Sequence, residues 1–141
     1  MKQKSKYLLD AGIFPLILAG DPNVKPLVEE IASGKAEPMA CEVNLAEFYA
    51  KTCEKMGREV AETYYLRIRC QPKMTIIAPN EEMTRSAGML KCKYRGNVSL
   101  ADCYAAASAL LCKATLITTD TNLHKMATSE KIPTKIIPLT S

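Results

Sequence analysis

Short apolar segments of strand character alternate along the chain with segments that carry apolar residues at helical spacing. This alternation constrains the fold more than any other feature, because it is typical of a parallel sheet with helices on both faces. Strands are predicted over residues 6–9, 37–41, 74–78, 114–118 and 134–138. The sequence therefore predicts an α/β fold, a three-layer α/β/α sandwich around a central, mostly parallel sheet of four to five strands.

Helices are predicted in the intervals between these strands. Apolar residues at helical spacing indicate a helix that ends near Gly34, and further helices over residues 42–56, 58–69 and 100–112. Gly57 ends the first helix of the adjacent pair, and Asn80 caps the helix that follows the third strand. At 141 residues, the whole chain (residues 1–141) is predicted to be a single domain.

The charge balance is mildly basic, with 19 basic and 15 acidic side chains and a net charge of +4. If several acids gather at one metal site, the remaining surface is more basic than this figure. A basic surface around an acidic, metal-neutralised pocket suits a polyanionic substrate.

The cysteines and the apolar segments bear on the cellular compartment. The six cysteines include no Cys-x-x-Cys pair, which argues against structural zinc, and their apolar surroundings favour reduced thiols over a disulfide framework. Asp10, Gly12 and Pro15 interrupt the apolar N-terminal stretch, which favours a first strand over a secretion signal. No apolar run reaches the roughly 18 residues of a membrane span. We therefore expect a cytoplasmic protein with no membrane segment.

Four carboxylates are placed where an α/β fold would bring them to one rim of its sheet. Asp10 and Asp120 each end an apolar strand-like run, Asp102 lies in the first turn of a helix, and Glu47 lies within another helix. Ligands of such folds bind outside the carboxyl ends of the strands. Gathered carboxylates repel one another unless a hard cation such as Mg²⁺ or Mn²⁺ lies between them. A metal held in this way is the basis of many nucleases and phosphatases.

Each aspartate also has a purely structural interpretation. Asp10 could cap the next helix, and Asp120 could form an aspartate turn before one. Asp102 completes a Ser-x-x-acid capping pattern with Ser99. It is, however, the one charged side chain between Arg95 and Lys113, in a helix that is apolar almost all round. A buried carboxylate there needs a partner, so capping and metal binding both stay open.

Glu47 is the acid for which helical periodicity gives no support. An apolar stripe at 3.6-residue spacing lies on the other side of its helix, so the pattern alone predicts that Glu47 faces water. Glu42, earlier in the same helix, competes with it for a functional role. The stripe consists of Leu45, Phe48, Tyr49, Thr52, Cys53 and Met56.

The sequence lacks the residues that several other catalytic classes require. His124 is the one histidine, which excludes a metal-free nuclease that uses two histidines, and neither a Gly-x-Ser-x-Gly elbow nor a phosphate-binding P-loop occurs. Basic residues precede Ser99, among them Lys93 and Arg95, and these could contact a nucleic-acid backbone. A solvated helix face is the alternative for such a charge run.

Taken together, these segments resemble a PIN-domain ribonuclease, and within that family the VapC-type toxins of toxin–antitoxin pairs. The resemblance covers almost the whole chain. It rests on the segments that carry the four acids, in their order and spacing: Tyr7-Leu8-Leu9-Asp10, Asn44-Leu45-Ala46-Glu47-Phe48-Tyr49, Ser99-Leu100-Ala101-Asp102 with the alanine-rich helix after it, and Leu116-Ile117-Thr118-Thr119-Asp120.

The resemblance implies a Mg²⁺- or Mn²⁺-dependent endoribonuclease whose metal-binding and catalytic acids are Asp10, Glu47, Asp102 and Asp120. It also implies an RNA substrate, an antitoxin partner and a homodimer, with the helix pair after the second strand used in both dimerisation and antitoxin binding. The residues expected to position the substrate around these acids are Thr118, Ser99, Asn122, Lys93 and Arg95.

The chain departs from the family pattern at three positions. Ala11 stands where a hydroxyl residue is common, and Asn122 and Leu123 stand where a further acid and an aromatic are common. Two other functions compete with that of a toxin: a PIN nuclease of RNA processing or quality control, and a non-enzymatic RNA-binding α/β module. Replacing the carboxylates by amides would leave RNA binding by such a module unharmed.

Overall fold

The computed structural model describes residues 4–139 as an alternation of strands and helices. The ends of the predicted domain, residues 1–3 and 140–141, lie outside the described residues. The strands are β1 (Ser5–Leu9), β2 (Ala36–Cys41), β3 (Thr75–Ile77), β4 (Thr115–Thr118) and β5 (Thr134–Ile136). The helices are α1 (Ile13–Ala19), α2 (Lys25–Ala32), α3 (Glu42–Met56), α4 (Arg58–Arg69), α5 (Glu81–Lys93), α6 (Leu100–Leu111) and α7 (Thr121–Ser129), with a 3-10 helix over Pro22–Val24 before α2.

The five strands form one parallel sheet in the order β3-β2-β1-β4-β5. The central strand β1 pairs with β2 on one side and with β4 on the other, through Leu8 opposite both Met39 and Leu116. The chain thus leaves β1 in one direction and later returns to its other side. The carboxyl ends of β1 and β4 therefore flank a topological switch point, where α/β folds bind ligands.

Helices cover both faces of this sheet, so the predicted three-layer sandwich is confirmed. Neighbouring strand residues point to opposite faces, as Leu8 and Leu9 show: each is fully buried, in a different apolar cluster. On one face the core includes α5, α6 and α7, with five consecutive buried residues at Ala105–Ala109. On the other face it includes residues of α1, α2, α3 and α4, such as Phe14 and Leu45.

Helices α3 and α4 have the predicted bounds and pack against each other. Gly57 separates them with a φ of +91°, a left-handed conformation that favours glycine. Arg69 of α4 donates to both carboxylate oxygens of Glu42 on α3, with 2.8 Å between Nη2 and Oε2. In the apolar stripe of α3, Phe48 is buried, whereas Met56 at the end of the stripe is 57% exposed.

Two sequence expectations concern the compartment. All six cysteines lie within the described residues, and none of them is paired in a disulfide. Among residues 4–139, no helix is both long and apolar enough to cross a lipid bilayer.

Candidate active site

Asp10 follows the last residue of β1 and lies in the interior. The residue is only 5% exposed. The hydroxyl of Thr118, at the end of β4, donates to Oδ2 of Asp10 over 2.8 Å. Among the described residues, Asp10 Oδ1 is buried and has no hydrogen-bond partner. A buried carboxylate oxygen with no donor needs a ligand to compensate for its lost hydration.

Asp102 forms the predicted capping box at the start of α6. Its Oδ2 accepts a hydrogen bond from the Ser99 backbone N–H over 2.9 Å, and the Ser99 hydroxyl accepts one from the Asp102 N–H over 3.1 Å. The box fixes the carboxylate in a buried position. It engages Oδ2 and leaves Oδ1 for a ligand, so capping and metal binding are compatible in this residue.

Asp120 is fixed in a similar way at the start of α7. Its Oδ1 accepts hydrogen bonds from the backbone N–H groups of Asn122 and Leu123, at 2.8 and 3.1 Å, which caps the helix. The backbone N–H of Asp120 in turn donates to the Thr118 hydroxyl over 3.0 Å. Thr118 is fully buried, so its hydroxyl connects the two aspartates rather than facing solvent.

Glu47 lies in the middle of α3. Helical periodicity alone predicts that it faces open water, but it does not. Its side chain is 20% exposed and pairs with Lys51 one turn later, at 3.6 Å between Oε2 and Nζ. The periodicity prediction was wrong because α3 packs against both α4 and α6, so a second side of the helix is covered. Glu42, by contrast, is engaged by Arg69 of α4.

The four acids share one electrostatic environment. Burial raises the pKa of Asp10 to about 6; the Thr118 hydroxyl and the nearby backbone N–H of Ala11 oppose this rise, and the charges of Asp102 and Glu47 add to it. Burial likewise raises the pKa of Glu47, where the ammonium of Lys51 opposes it and Asp102 and Asp120 contribute. Each carboxylate therefore lies within the field of at least two of the others, as expected of acids around one cation site.

The donor set fits a hard divalent cation. Two buried side-chain oxygens among the described residues lack a hydrogen-bond partner, Asp10 Oδ1 and Asn44 Oδ1. Carboxylate and amide oxygens are the ligands that Mg²⁺ and Mn²⁺ prefer. Within residues 4–139, no three acidic, cysteine or histidine side chains are already close enough together to hold an ion. Because unscreened carboxylates repel one another, a cation would have to draw these side chains inward.

Sequence reasoning did not single out Asn44 or Lys51. Asn44 is fully buried on α3, and its Nδ2 donates to the Ala101 carbonyl over 3.0 Å, next to Asp102. It thereby joins the helix that carries Glu47 to the helix that carries Asp102. The available signal was an amide one turn before Phe48, on the buried side of α3.

The residues predicted to position the substrate around the four acids differ in their surroundings. Lys93 pairs with Glu130 over 2.8 Å, so its ammonium is already engaged. Arg95 and Asn122 line the same notch of about 190 Å³, together with Lys125. Ser99 is engaged in the cap of α6. Two of the five residues predicted to position the substrate, Arg95 and Asn122, therefore share this notch.

Comparison with known proteins identifies the family. A family model described as the PIN domain matches residues 7–129. The chain belongs to the PIN-domain family. This match contains all four acids, and it confirms the resemblance inferred from the sequence. No curated protein sequence matches the chain.

Solved structures share this PIN fold at low sequence identity. VapBC2 from Rickettsia felis, bound to a promoter DNA fragment, has a TM-score of 0.72 at 18% identity, covering 93% of this chain and 98% of that one. VapBC-1 from nontypeable Haemophilus influenzae has a TM-score of 0.69 at 18% identity, covering 93% and 97%. VapC20 from Mycobacterium tuberculosis, a sarcin–ricin-loop-cleaving toxin, has a TM-score of 0.64 at 15% identity, covering 78% and 86%. At such identities the likeness shows the fold alone.

Proposed function

We propose that this PIN-domain protein is a divalent-metal-dependent endoribonuclease and the toxin of a type II toxin–antitoxin pair. The observation that carries the proposal is the unsatisfied Oδ1 of Asp10, buried at the switch point within the field of Asp102 and Glu47. The description of VapC20 as a toxin that cleaves the sarcin–ricin loop supports an RNA substrate. The VapBC complexes among the similar structures support the toxin assignment.

The residues that would hold Mg²⁺ or Mn²⁺ are Asp10, Glu47, Asp102 and Asp120. Such an ion supplies a Lewis acid for phosphate oxygens and makes water more acidic, which is the chemistry that phosphodiester hydrolysis needs. The chain contributes by fixing the acids before the substrate arrives. The Thr118 hydroxyl favours the ionised form of Asp10 and orients it, and the caps of α6 and α7 orient Asp102 and Asp120.

No side-chain nucleophile is proposed, so the attacking group is water in an in-line displacement. With a pKa of about 6, Asp10 is largely ionised at neutral pH and can bind a cation. Asn122 and Arg95, in the notch beside Asp120, would contact the RNA backbone. Lys93 would do so only after leaving Glu130.

The proposal includes an antitoxin protein, a homodimer and a cytoplasmic location. The similar structures described as VapBC complexes support the antitoxin. The α3–α4 pair, which the family resemblance assigns to dimer and antitoxin contacts, carries the exposed apolar side chain of Leu66. A cytoplasmic location agrees with an RNA substrate.

Cleavage of RNA by the purified protein tests the proposal. We expect cleavage with Mn²⁺ or Mg²⁺, none with EDTA, and none by Asp10→Asn, which removes a charge and little volume. Asp21→Asn is the matched control, because Asp21 only caps the 3-10 helix and asparagine caps equally well. Robust cleavage in EDTA would refute the mechanism. RNA binding without cleavage, equal in wild type and Asp10→Asn, would favour a non-enzymatic RNA-binding module.

A further inference from the structure

One cleft among the described residues adjoins the acidic site and is not used by the mechanism above. It has a volume of about 550 Å³ and lies between α1, α3, α4 and the segment after β5. Its walls include the aromatic rings of Phe48 and Tyr64, and the side chains of Lys51 and Lys55 border it. Its volume is in the range of small-molecule sites in proteins.

The cleft adjoins three of the four acids, Asp10, Glu47 and Asp120. Ala11, the residue after Asp10, and Thr119, the residue before Asp120, both line it. Lys51, which also lines it, pairs with Glu47. A group bound in the cleft could therefore belong to the same molecule as a phosphate held at the acidic site.

A close backbone approach connects the cleft and the site. A Cβ added to Gly12 would lie 2.6 Å from the Thr119 hydroxyl oxygen, so the loop after β1 packs directly on the loop after β4. Gly12, two residues after Asp10, and Thr119, the residue before Asp120, thus meet at one end of the cleft. The cleft and the site thus share the same two loops.

The chemistry of the lining favours an anionic, aromatic ligand. Two lysines and no acidic residue line the cleft. Lys51 and Lys55 are one helical turn apart on α3, so both ammonium groups point to the same side. An apolar peptide would cover the rings but offer no anionic group to either lysine. A nucleotide satisfies both features, since bases stack on aromatic rings and phosphates bind lysine.

We infer that this cleft holds one unstacked nucleotide of the RNA substrate, adjacent to the bond that is cut. The ring of Tyr64 stacks against the base, and Lys51 and Lys55 bind the phosphate. The Lys51 side chain is 66% exposed, so its pairing with Glu47 is weakly held and it can turn to a phosphate. This inference rests on the proposed nuclease function and adds where the substrate lies.

The experiment titrates the protein, in the presence of Mg²⁺, with nucleoside 5′-monophosphates and separately with inorganic phosphate. Binding is followed by NMR shifts of backbone amides that line the cleft, such as those of Ala11 and Leu16. Neither probe contains a phosphodiester bond, so the result does not depend on cleavage. Four variants are compared: Tyr64→Leu, Tyr64→Phe, Lys51→Gln/Lys55→Gln, and the control Lys4→Gln/Lys35→Gln, whose exposed lysines lie at the opposite, amino edge of the sheet.

Tyr64→Leu keeps apolar volume but removes the ring, and should weaken mononucleotide binding about tenfold, the factor that 1.4 kcal/mol of lost stacking gives. Tyr64→Phe should bind mononucleotides as the wild type does, and neither variant should change phosphate binding. The Lys51→Gln/Lys55→Gln variant should weaken both probes, and the control neither.

Equal mononucleotide binding by wild type and Tyr64→Leu would overturn the inference, as would shifts confined to amides outside the cleft. Either result would leave the cleft to an apolar segment of a protein partner. Mononucleotide binding as predicted, together with no RNA cleavage by the wild type, would contradict the proposed function and retain the nucleotide site.

Discussion

Replacing Asp10 by asparagine should make the metal-free protein more stable at neutral pH, although the variant loses its proposed activity. The physical reason is that Asp10 is buried among other acids, which raises its pKa from 3.8 to about 6. At about 1.4 kcal/mol per pH unit, this rise corresponds to about 3 kcal/mol. The folded state therefore tolerates the charged form of Asp10 poorly, and the amide avoids that cost.

The direction of the pH dependence of this stability difference follows from proton binding. Between pH 3.8 and about 6 the folded protein holds a proton on Asp10 that the unfolded chain has released. The contribution of Asp10 is thus fully present below the lower pKa and is lost as the pH rises through about 6. The stability of Asp10→Asn relative to wild type should increase by about 3 kcal/mol over this window and then stay constant.

Urea unfolding in EDTA, repeated from pH 4 to pH 8, measures this difference. The free energy of unfolding of the variant minus that of wild type is plotted against pH, so contributions of the other titrating groups cancel. Any pH-independent effect of the amide shifts the whole curve without changing its shape. Asp21→Asn is the control and should give a flat curve, since Asp21 caps the 3-10 helix with an oxygen that asparagine retains. A flat curve for Asp10→Asn as well would refute the assignment of a buried, charge-crowded carboxylate.

Three further predictions concern the acids and their supports. Glu47→Gln should lower RNA cleavage at least tenfold, about 1.4 kcal/mol of barrier, whereas Glu42→Gln should lose only its contact with Arg69; a silent Glu47→Gln would remove Glu47 from the site. Mn²⁺ at a hundredfold excess over its dissociation constant should stabilise wild type by about 2.7 kcal/mol in thermal unfolding, and Asp102→Asn less; an equal shift in both would exclude Asp102 as a ligand. Thr118→Val should lower cleavage about tenfold because Asp10 loses a hydrogen bond, and Thr118→Ser should restore it; equal rates in both variants would refute that role.

The sequence predicted the sheet and the helix bounds well because local patterns determine them. Strand ends at Leu9 and Thr118, and the α3 boundary at Gly57, follow from apolar runs and turn residues. Asp10 and Asp120 could then be placed at one edge, because parallel strands end on the same side. The capping role of Asp102 was also readable, from Ser99 three residues earlier.

What the sequence could not predict depends on contacts between distant segments. Helical periodicity treated Glu47 as solvent-facing because one helix alone does not reveal that α6 packs on its second side. The cleft is formed by Tyr64 of α4, Lys51 of α3 and Thr119 after β4, which no local pattern connects. The buried oxygen of Asn44 could be recognised only from its surroundings.

Counting Mn²⁺ ions bound to the purified protein tests the central claim most directly. Electron paramagnetic resonance of free Mn²⁺ gives the affinity for wild type, Asp10→Asn, Asp102→Asn and the control Asp21→Asn without any need for RNA. We predict saturable binding by wild type and the control, binding that weakens as the pH falls below about 6 because Asp10 must release a proton, and strongly weakened binding by the other two variants. Equal Mn²⁺ affinity in all four proteins would contradict the assignment of these acids as a metal site.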